Sequence, residues 1–347
     1  MPPLFAFSLF YFSALFAFLP FPPFYFFTLL LFYFFMSYNS LWRSLTPLYD
    51  PDEAKAVVRT LLDSLFGMTL TDIVCGAVDS LSAADTQRLS AAMRRLEAAE
   101  PVQYVLGSAP FCRRRFAVRP GVLIPRPETE WLVQRAALAA KSRHAADCRI
   151  LDIGTGSGCI AISTALEVPE AVVEAWDISP QALDIARDNA RDLGASVTFT
   201  LADALNAPCE ERTRDIIVSN PPYICRREHA AMSPNVLRHE PHTALFVPDD
   251  DPLLFYRAIA LYARKALRHG GILLFECNTL YAADTAAMLR TMGFNAPTVH
   301  ADCFGKPRFV EAGAADASPR HPVEAGNEGV GQTGGSRSKA SQEVEGR

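Results

Sequence analysis

Apolar residues first recur at three- and four-residue spacing, the period of an amphipathic helix, after residue 52. One stripe lies within residues 53–66 and consists of Ala54, Val57, Val58, Leu61, Leu62 and Leu65. Ser82, three residues before Asp85, resembles a capping box. It precedes a second stripe, Leu89, Ala92, Met93 and Leu96. Residues 36–108 are therefore predicted to form a small all-α N-terminal domain.

From Arg149 onward, short apolar runs typical of buried strands alternate with helical segments. The predicted strands cover residues 149–153, 172–176, 196–200, 215–219, 271–276, 294–300 and 307–311. Predicted helices cover residues 158–166 and 253–268, and a third begins at Ser179-Pro180 and ends at Gly194. This alternation predicts an α/β fold with a doubly wound, mostly parallel sheet over residues 126–311. Residues 109–125 are predicted to be a hairpin connector.

Both ends of the chain differ from these segments. Residues 1–35 are nearly all Phe, Leu, Tyr, Ala and Pro, and the first charged residue is Arg43. We interpret this leader as translated upstream sequence before a start at Met36, or alternatively as a membrane segment interrupted by prolines. Residues 312–347 are rich in Gly, Ala, Ser and charge. They are predicted to be a disordered tail, because they lack the large apolar residues that offset ordering entropy.

Charge and cysteine content narrow the range of functions. The formal net charge is −5, which disfavours a general nucleic-acid binder. A local run, Arg113 to Arg115, is either a solvated hairpin face or a docking patch. The eight cysteines form no C-x-x-C pair and no zinc-ligand cluster. We therefore expect reduced thiols, no metal site and a cytoplasmic monomer.

A glycine-rich turn follows the first strand of the alternating region. The run DIGTGSG begins at Asp152, and Asp177 ends the next strand, where a carboxylate is suited to bind ribose hydroxyls. The G-x-G-x-G spacing resembles class I S-adenosylmethionine-dependent methyltransferases, with NAD as the alternative cofactor. In that resemblance Asp152 orients the loop. The residues expected to bind the cofactor are Gly154, Thr155, Gly156, Ser157, Gly158, Asp177, Asp203, Ala204 and Asn220.

The fourth strand runs into the sequence Asn220-Pro221-Pro222-Tyr223. Ligands of open α/β sheets bind at the carboxyl ends of strands, so this turn is expected beside the glycine loop. The Asn220 side-chain oxygen and the rigid Pro221 carbonyl can accept both hydrogens of a planar NH2 group, which frees its lone pair to attack a methyl-sulfonium. Tyr223 is expected to stack on the flat target. The turn resembles the [N/D]PP[Y/F] motif of amino-methyltransferases that act on planar nitrogens.

Several runs together resemble the HemK/PrmC family, the release factor glutamine N5-methyltransferases. They are EPVQYVLG (100–107), VLIPRPETE (122–130), ILDIGTGSGCIAI (150–162), SNPPYI (219–224) and HEPHTAL (239–245). The resemblance spans residues 36–311. It implies S-adenosylmethionine as cofactor and the glutamine of the Gly-Gly-Gln loop of class I release factors as substrate. It assigns substrate contacts to Asn220, Pro221, Pro222 and Tyr223, and Ala204 departs from a position that is often aromatic.

Three alternatives remain open at this point. A ribosomal-protein glutamine methyltransferase shares the Asn-Pro-Pro-Tyr motif but lacks the PRPETE form. Methyltransferases that act on adenine or guanine amino groups share the chemistry, but a basic face is expected of them. A non-catalytic scaffold tethered by residues 1–35 would leave the glycine loop and the Asn-Pro-Pro-Tyr turn unexplained. A further hypothesis is that the helical domain and Arg113 to Arg115 dock the release factor.

Overall fold

A computed structural model describes residues 37–143 and 145–314. The predicted leader 1–35 and all but the first three residues of the predicted tail lie outside these ranges. In the part described, no helix is both long and apolar enough to cross a bilayer. The predicted boundary between the sheet domain and the tail, at residue 312, lies two residues too early. The last strand continues to Gly313, and Ala312 is fully buried.

The N-terminal domain is helical, as the apolar stripes predict. Its helices are α1 (Tyr38–Ser44), α2 (Pro51–Phe66), α3 (Leu70–Val74), α4 (Ala83–Glu97) and α5 (Val102–Leu106), with a 3-10 turn at Ala77–Ser80. Asp50 caps α2 by accepting from the amides of Asp52 and Glu53. Ser82 caps α4 by accepting from the amide of Asp85. The predicted stripe residues Leu61, Leu62, Leu89 and Leu96 are fully buried in a separate core.

A hairpin joins this domain to the sheet. Its strands are β1 (Ser108–Phe111) and β2 (Arg114–Ala117), paired in antiparallel register, and residues 118–126 continue without strand pairing. The buried Asn189 holds β2 in place. Its Oδ1 accepts from the Ala117 amide at 2.7 Å, and its Nδ2 donates to the carbonyls of Ala117 at 3.0 Å and Ser157 at 2.9 Å. One amide therefore links the connector to the glycine loop.

The remaining chain builds a seven-stranded sheet in the order β10-β11-β9-β6-β3-β4-β5. The strands are β3 (Arg149–Ile153), β4 (Val172–Asp177), β5 (Thr198–Leu201), β6 (Arg214–Ser219), β9 (Leu267–Glu276), β10 (Asn295–Ala301) and β11 (Pro307–Gly313). The two short strands β7 (Ile224–Cys225) and β8 (Phe246–Val247) pair separately. Five neighbouring strands of the large sheet, β9, β6, β3, β4 and β5, are parallel. The mostly parallel, doubly wound sheet predicted from the alternation is confirmed.

Helices cover both faces of the sheet and divide its core into two apolar clusters. The helices of this part are α6 (Glu130–Lys141), α7 (Cys159–Glu167), α8 (Pro180–Leu193), α9 (Pro234–His239), α10 (His242–Leu245), α11 (Leu254–Ala266) and α12 (Ala282–Thr291). Of these, α6, α7, α8, α11 and α12 contribute residues to the two clusters. Ser179 caps α8 and Gly194 ends it at φ 71°, as predicted. The chain passes from β3 outward to β5 and then returns to β6 on the other side of β3. This reversal puts the ends of β3 and β6 where open α/β sheets bind ligands.

Candidate active site

The turn after β3 holds three glycines at positive φ. Gly154, Gly156 and Gly158 have φ of 76°, 56° and 82°, a region that residues with a Cβ rarely adopt. A Cβ added at Gly154 or Gly156 would meet no atom within 4 Å beyond its chain neighbours. At Gly158 it would lie 2.7 Å from Ile162 Cδ1 and 3.1 Å from Ala186 Cβ. The first two glycines therefore leave space beside the backbone, and Gly158 lets α7 pack closely on α8.

Asp152 lies beneath this turn and is fully buried. Its Oδ2 accepts from Thr155 Oγ1 at 2.6 Å and from the Ala161 amide at 3.2 Å. Its Oδ1 has no hydrogen-bond partner among the described residues. Burial raises the pKa of Asp152 to about 7, against the effect of these two hydrogen bonds, and the charge of Asp177 raises it further. Asp152 thus orients the loop as predicted, at a cost in desolvation.

Asp177, at the end of β4, lies next to the glycine turn. Its Oδ2 accepts from the Gly156 amide at 2.8 Å, and its Oδ1 accepts from the Ser179 amide at 2.9 Å. Burial raises the pKa of Asp177, whereas the amides of Ser179 and Gly156 lower it. The carboxylate is consequently fixed in register with the glycine turn rather than free to rotate.

A cavity of about 700 Å³ extends from the glycine turn to the Asn-Pro-Pro corner. Of the predicted site residues, those that line it are Gly154, Gly156, Asp177, Asp203, Ala204, Asn220, Pro221 and Pro222. The other four predicted residues, Thr155, Ser157, Gly158 and Tyr223, are not part of the lining. The glycine loop and the Asn-Pro-Pro corner therefore meet in one cavity, as expected from the parallel sheet.

The loop end of the cavity suits an adenosine ligand. Ile178 and Leu205 are 61% and 42% exposed and flank the lining beside Asp177 and Ala204. Asp203 caps its own turn, accepting from the Leu205 amide at 2.8 Å. Apolar side chains next to a fixed carboxylate and an open glycine backbone fit S-adenosylmethionine, whose adenine presents flat aromatic faces and whose ribose carries a diol.

At the other end, a buried hydrogen-bond network holds the Asn-Pro-Pro corner. Asn220 Nδ2 donates to Thr129 Oγ1 at 3.4 Å, and Thr129 Oγ1 donates to Glu276 Oε2 at 2.7 Å. Burial raises the pKa of Glu276, while the Thr129 hydroxyl, Arg308 and the Tyr223 hydroxyl lower it. Sequence reasoning did not single out Thr129 or Glu276. Two signals were available: Thr129 lies within IPRPETE, and Glu276 is a carboxylate that ends an apolar strand.

Tyr223 is partly buried and does not line this cavity, and its predicted stacking on the substrate stays a prediction. Its ring packs against the core cluster on one face of the sheet, and its hydroxyl donates to Glu276 Oε1 at 3.3 Å. Burial raises the pKa of Tyr223, and the Glu276 charge raises it further. The core and the Glu276 carboxylate therefore both hold this side chain.

Two further segments contribute to the cavity wall and were not predicted. One is the connector, through Gly121, Val122 and Leu123. The other is the region after the Asn-Pro-Pro corner, through Arg226, His229, Pro241, His242, Thr243, Ala244 and Phe246. The ring of His242 meets Phe246 edge-on, with centroids 5.3 Å apart. These residues give the corner end of the cavity a polar and aromatic wall.

An ion pair joins the motifs IPRPETE and HEPHTAL. Arg126 Nη2 lies 2.6 Å from Glu240 Oε1, and Glu240 Oε2 accepts from the Ile124 amide at 3.1 Å. The Glu240 side chain is 1% exposed.

The arginine run has a partner within the same molecule. Arg114 lies 3.2 Å from Glu167 on α7. Arg113 of the same run is 90% exposed, and docking by the arginine run stays a prediction.

Comparison with known proteins gives two family matches. Residues 131–240 match the family described as methyltransferase small domain. Residues 45–107 match the PrmC N-terminal domain. The two matches fall on the sheet domain and on the helical domain, respectively.

Curated relatives match over most of the chain. A release factor glutamine methyltransferase of Bacteroides thetaiotaomicron is 47% identical over 78% of this chain and 96% of the relative. A protein of the same name from Flavobacterium psychrophilum is 36% identical over 78% of this chain and 95% of the relative. A solved structure of a release-factor-specific protein-(glutamine-N5) methyltransferase from Alicyclobacillus acidocaldarius is 29% identical, covers 58% of this chain and 100% of that one, and has a TM-score of 0.35. The chain therefore belongs to the family of release factor glutamine methyltransferases.

Proposed function

We propose that this enzyme transfers a methyl group from S-adenosylmethionine to the side-chain amide nitrogen of the glutamine in the Gly-Gly-Gln loop of class I release factors. Family membership supports the reaction and the substrate. The observation that carries the residue assignment is the single cavity shared by the glycine turn and the Asn-Pro-Pro corner. The methylation of a cytoplasmic translation factor also favours a cytoplasmic location.

The reaction requires a better nucleophile than a resting amide. An amide nitrogen shares its lone pair with the carbonyl, so it attacks poorly in its planar form. The Asn220 side-chain oxygen and the Pro221 carbonyl would accept its two hydrogens, hold the nitrogen and favour a pyramidal shape. Pro221 and Pro222 restrict the backbone, so that little reorganisation accompanies the reaction.

When bound, S-adenosylmethionine supplies a methyl group on a cationic sulfur and therefore a neutral leaving group. The residues of this chain need to align the two reactants rather than activate the donor. In the transfer the nitrogen–carbon bond would form as the sulfur–carbon bond breaks, and the methylated nitrogen would then release one proton to water. A side-chain base is not required for that proton, because an N-protonated amide is a strong acid.

At the cofactor end of the cavity, some residues are assigned to contact the cofactor and others to hold the glycine turn. We assign ribose binding to Asp177, backbone contacts to Gly154 and Gly156, and the sides of the adenine to Ile178 and Leu205, next to Asp203 and Ala204. Thr155, Ser157 and Gly158 act from behind the turn. Thr155 bonds to Asp152, the Ser157 carbonyl accepts from Asn189, and Gly158 allows the helices to pack.

Mass spectrometry of a release factor incubated with the enzyme and S-adenosylmethionine tests the proposal. We expect one added methyl group on the Gly-Gly-Gln glutamine, and none on a substrate in which that glutamine is replaced. Asn220→Ala should lower the rate by about 100- to 1000-fold, the effect of removing one transition-state hydrogen bond, without loss of cofactor affinity. Asn39→Ala, an exposed position in α1, is the matched control. An unmodified glutamine with the wild-type enzyme would refute the proposed function.

A further inference from the structure

The Asn220 amide is the first member of a buried chain of hydrogen bonds. Its Nδ2 donates to Thr129 Oγ1 at 3.4 Å, Thr129 Oγ1 donates to Glu276 Oε2 at 2.7 Å, and Tyr223 donates to Glu276 Oε1 at 3.3 Å. Thr129 is 3% exposed and Glu276 is 1% exposed. Neither of these two residues lines the cavity. They can therefore affect the substrate amide only through Asn220.

Glu276, the last residue of this network, determines which acceptor each hydroxyl hydrogen points to. Both side-chain oxygens of Glu276 accept here, one from the Thr129 hydroxyl and one from the Tyr223 hydroxyl. The Thr129 proton is thereby committed to Glu276, and the Thr129 oxygen is left with lone pairs to offer. Only the NH2 end of Asn220 can satisfy those lone pairs. The Asn220 oxygen must then face away from Thr129.

The two ends of an asparagine amide have nearly the same shape, so the hydrogen-bond network decides which end points where. A substrate amide presents NH2 hydrogens and needs an acceptor. An Asn220 amide turned by half a rotation would oppose them with its own NH2 hydrogens.

We propose that Thr129 and Glu276 are positioning residues that set the orientation of the Asn220 amide and keep its oxygen directed at the substrate. This inference rests on the proposed function, since it assumes that Asn220 accepts from the substrate amide. Burying a carboxylate costs several kcal/mol, and apolar residues of the same volume generally fill such a space at least as stably. Keeping Glu276 in the core is therefore explained by an orienting role.

Glu276→Gln is the sharpest test, because it preserves shape. A glutamine can turn its own NH2 toward Thr129, and the Thr129 hydroxyl then donates to Asn220 and stabilises the wrong orientation. We expect kcat for release factor methylation to fall by about ten- to a hundredfold, which is less than the loss of the contact itself. The KM for release factor and the Kd for S-adenosylmethionine should stay within about twofold, because neither residue lines the cavity.

Variants of Thr129 separate orientation from packing. Thr129→Val keeps the volume and removes the hydroxyl, so it should lower kcat as Glu276→Gln does. Thr129→Ser keeps the hydroxyl and should retain most of the activity. Thr285→Val is the matched control, since Thr285 is equally buried but donates to the Tyr281 carbonyl at 2.8 Å. It should leave kcat unchanged.

Steady-state kinetics, calorimetric titration with S-adenosylmethionine and thermal unfolding of all variants give the answer. A drop in kcat for Glu276→Gln and Thr129→Val with rescue by serine supports the proposal. Wild-type kcat in either variant overturns it. An equal loss in Thr129→Ser, with parallel losses of cofactor affinity and thermal stability, also overturns it and indicates a structural role. A wild-type enzyme that is inactive on release factor instead refutes the proposed function, on which this inference depends.

Discussion

Asp152 allows a test of how much the buried carboxylate beneath the glycine turn lowers the free energy of unfolding. The carboxylate is fully buried, its Oδ2 accepts two hydrogen bonds, and its Oδ1 has none among the described residues. Asp152→Asn retains an acceptor for Thr155 and Ala161 and removes the charge. The substitution therefore isolates the cost of ionising a buried acid from the benefit of orienting the loop.

The magnitude follows from the pKa of about 7 in the folded protein, against 3.8 for an ordinary aspartate. This difference corresponds to about 4 kcal/mol. Between about pH 4 and 7 the folded protein binds a proton at Asp152 that the unfolded chain has already released. The wild-type free energy of unfolding therefore falls as pH rises through that window, with no further change from this group above it.

The asparagine variant lacks this slope. Its new NH2 occupies the place of the unpartnered oxygen, at a pH-independent cost of about 1–3 kcal/mol. We expect the variant to be less stable than wild type near pH 4 and more stable by about 1–3 kcal/mol at pH 8.

Urea denaturation of the cofactor-free protein at several pH values from about 4 to 8 measures the difference. Asp52→Asn, an exposed position, serves as control and should stay within about 0.5 kcal/mol of wild type. If the free-energy difference between Asp152→Asn and wild type is the same at every pH, then Asp152 does not titrate in this window, and the argument from burial is wrong.

Three other substitutions test the site and its frame. Asp177→Ala removes the acceptor of two backbone amides and of the ribose, so calorimetry should show at least about tenfold weaker S-adenosylmethionine binding; unchanged affinity would contradict the assignment. Gly158→Ala combines a positive φ with a close contact and should cost about 2–5 kcal/mol in urea denaturation; a loss below about 1 kcal/mol would disprove tight packing there. Arg126→Ala leaves the buried Glu240 unpaired and should cost about 3–5 kcal/mol, whereas Arg88→Ala, in an exposed pair, should cost less than about 1 kcal/mol. Similar losses in both arginine variants would show that Glu240 does not depend on Arg126.

Local patterns were sufficient to predict the sheet, the cap residues of its helices and the shared cavity. Each depends on neighbours in sequence: the apolar period, the Ser179-Pro180 start of α8, or a glycine turn directly after a strand. The position of the corner beside the turn follows from parallel topology, because the ends of β3 and β6 lie at the same edge of the sheet.

Contacts between distant segments were not predictable in this way. Thr129 lies 91 residues from Asn220 and 147 from Glu276, so nothing local connects them. The contacts of Tyr223 with the core and with Glu276 were likewise not predicted from its motif. Charge alone also does not reveal that Glu167 lies beside Arg114.

The bond from Asn189 to both β2 and the glycine loop has a consequence for how the chain can be divided. A fragment that begins at the PRPETE motif would remove the Ala117 backbone and leave the asparagine with only the Ser157 carbonyl. Gly107 ends helix α5 at φ 70° just before the hairpin. It therefore marks the boundary between the helical domain and the hairpin. Exchange of N-terminal modules between related enzymes should cut there, so that the hairpin travels with the catalytic half.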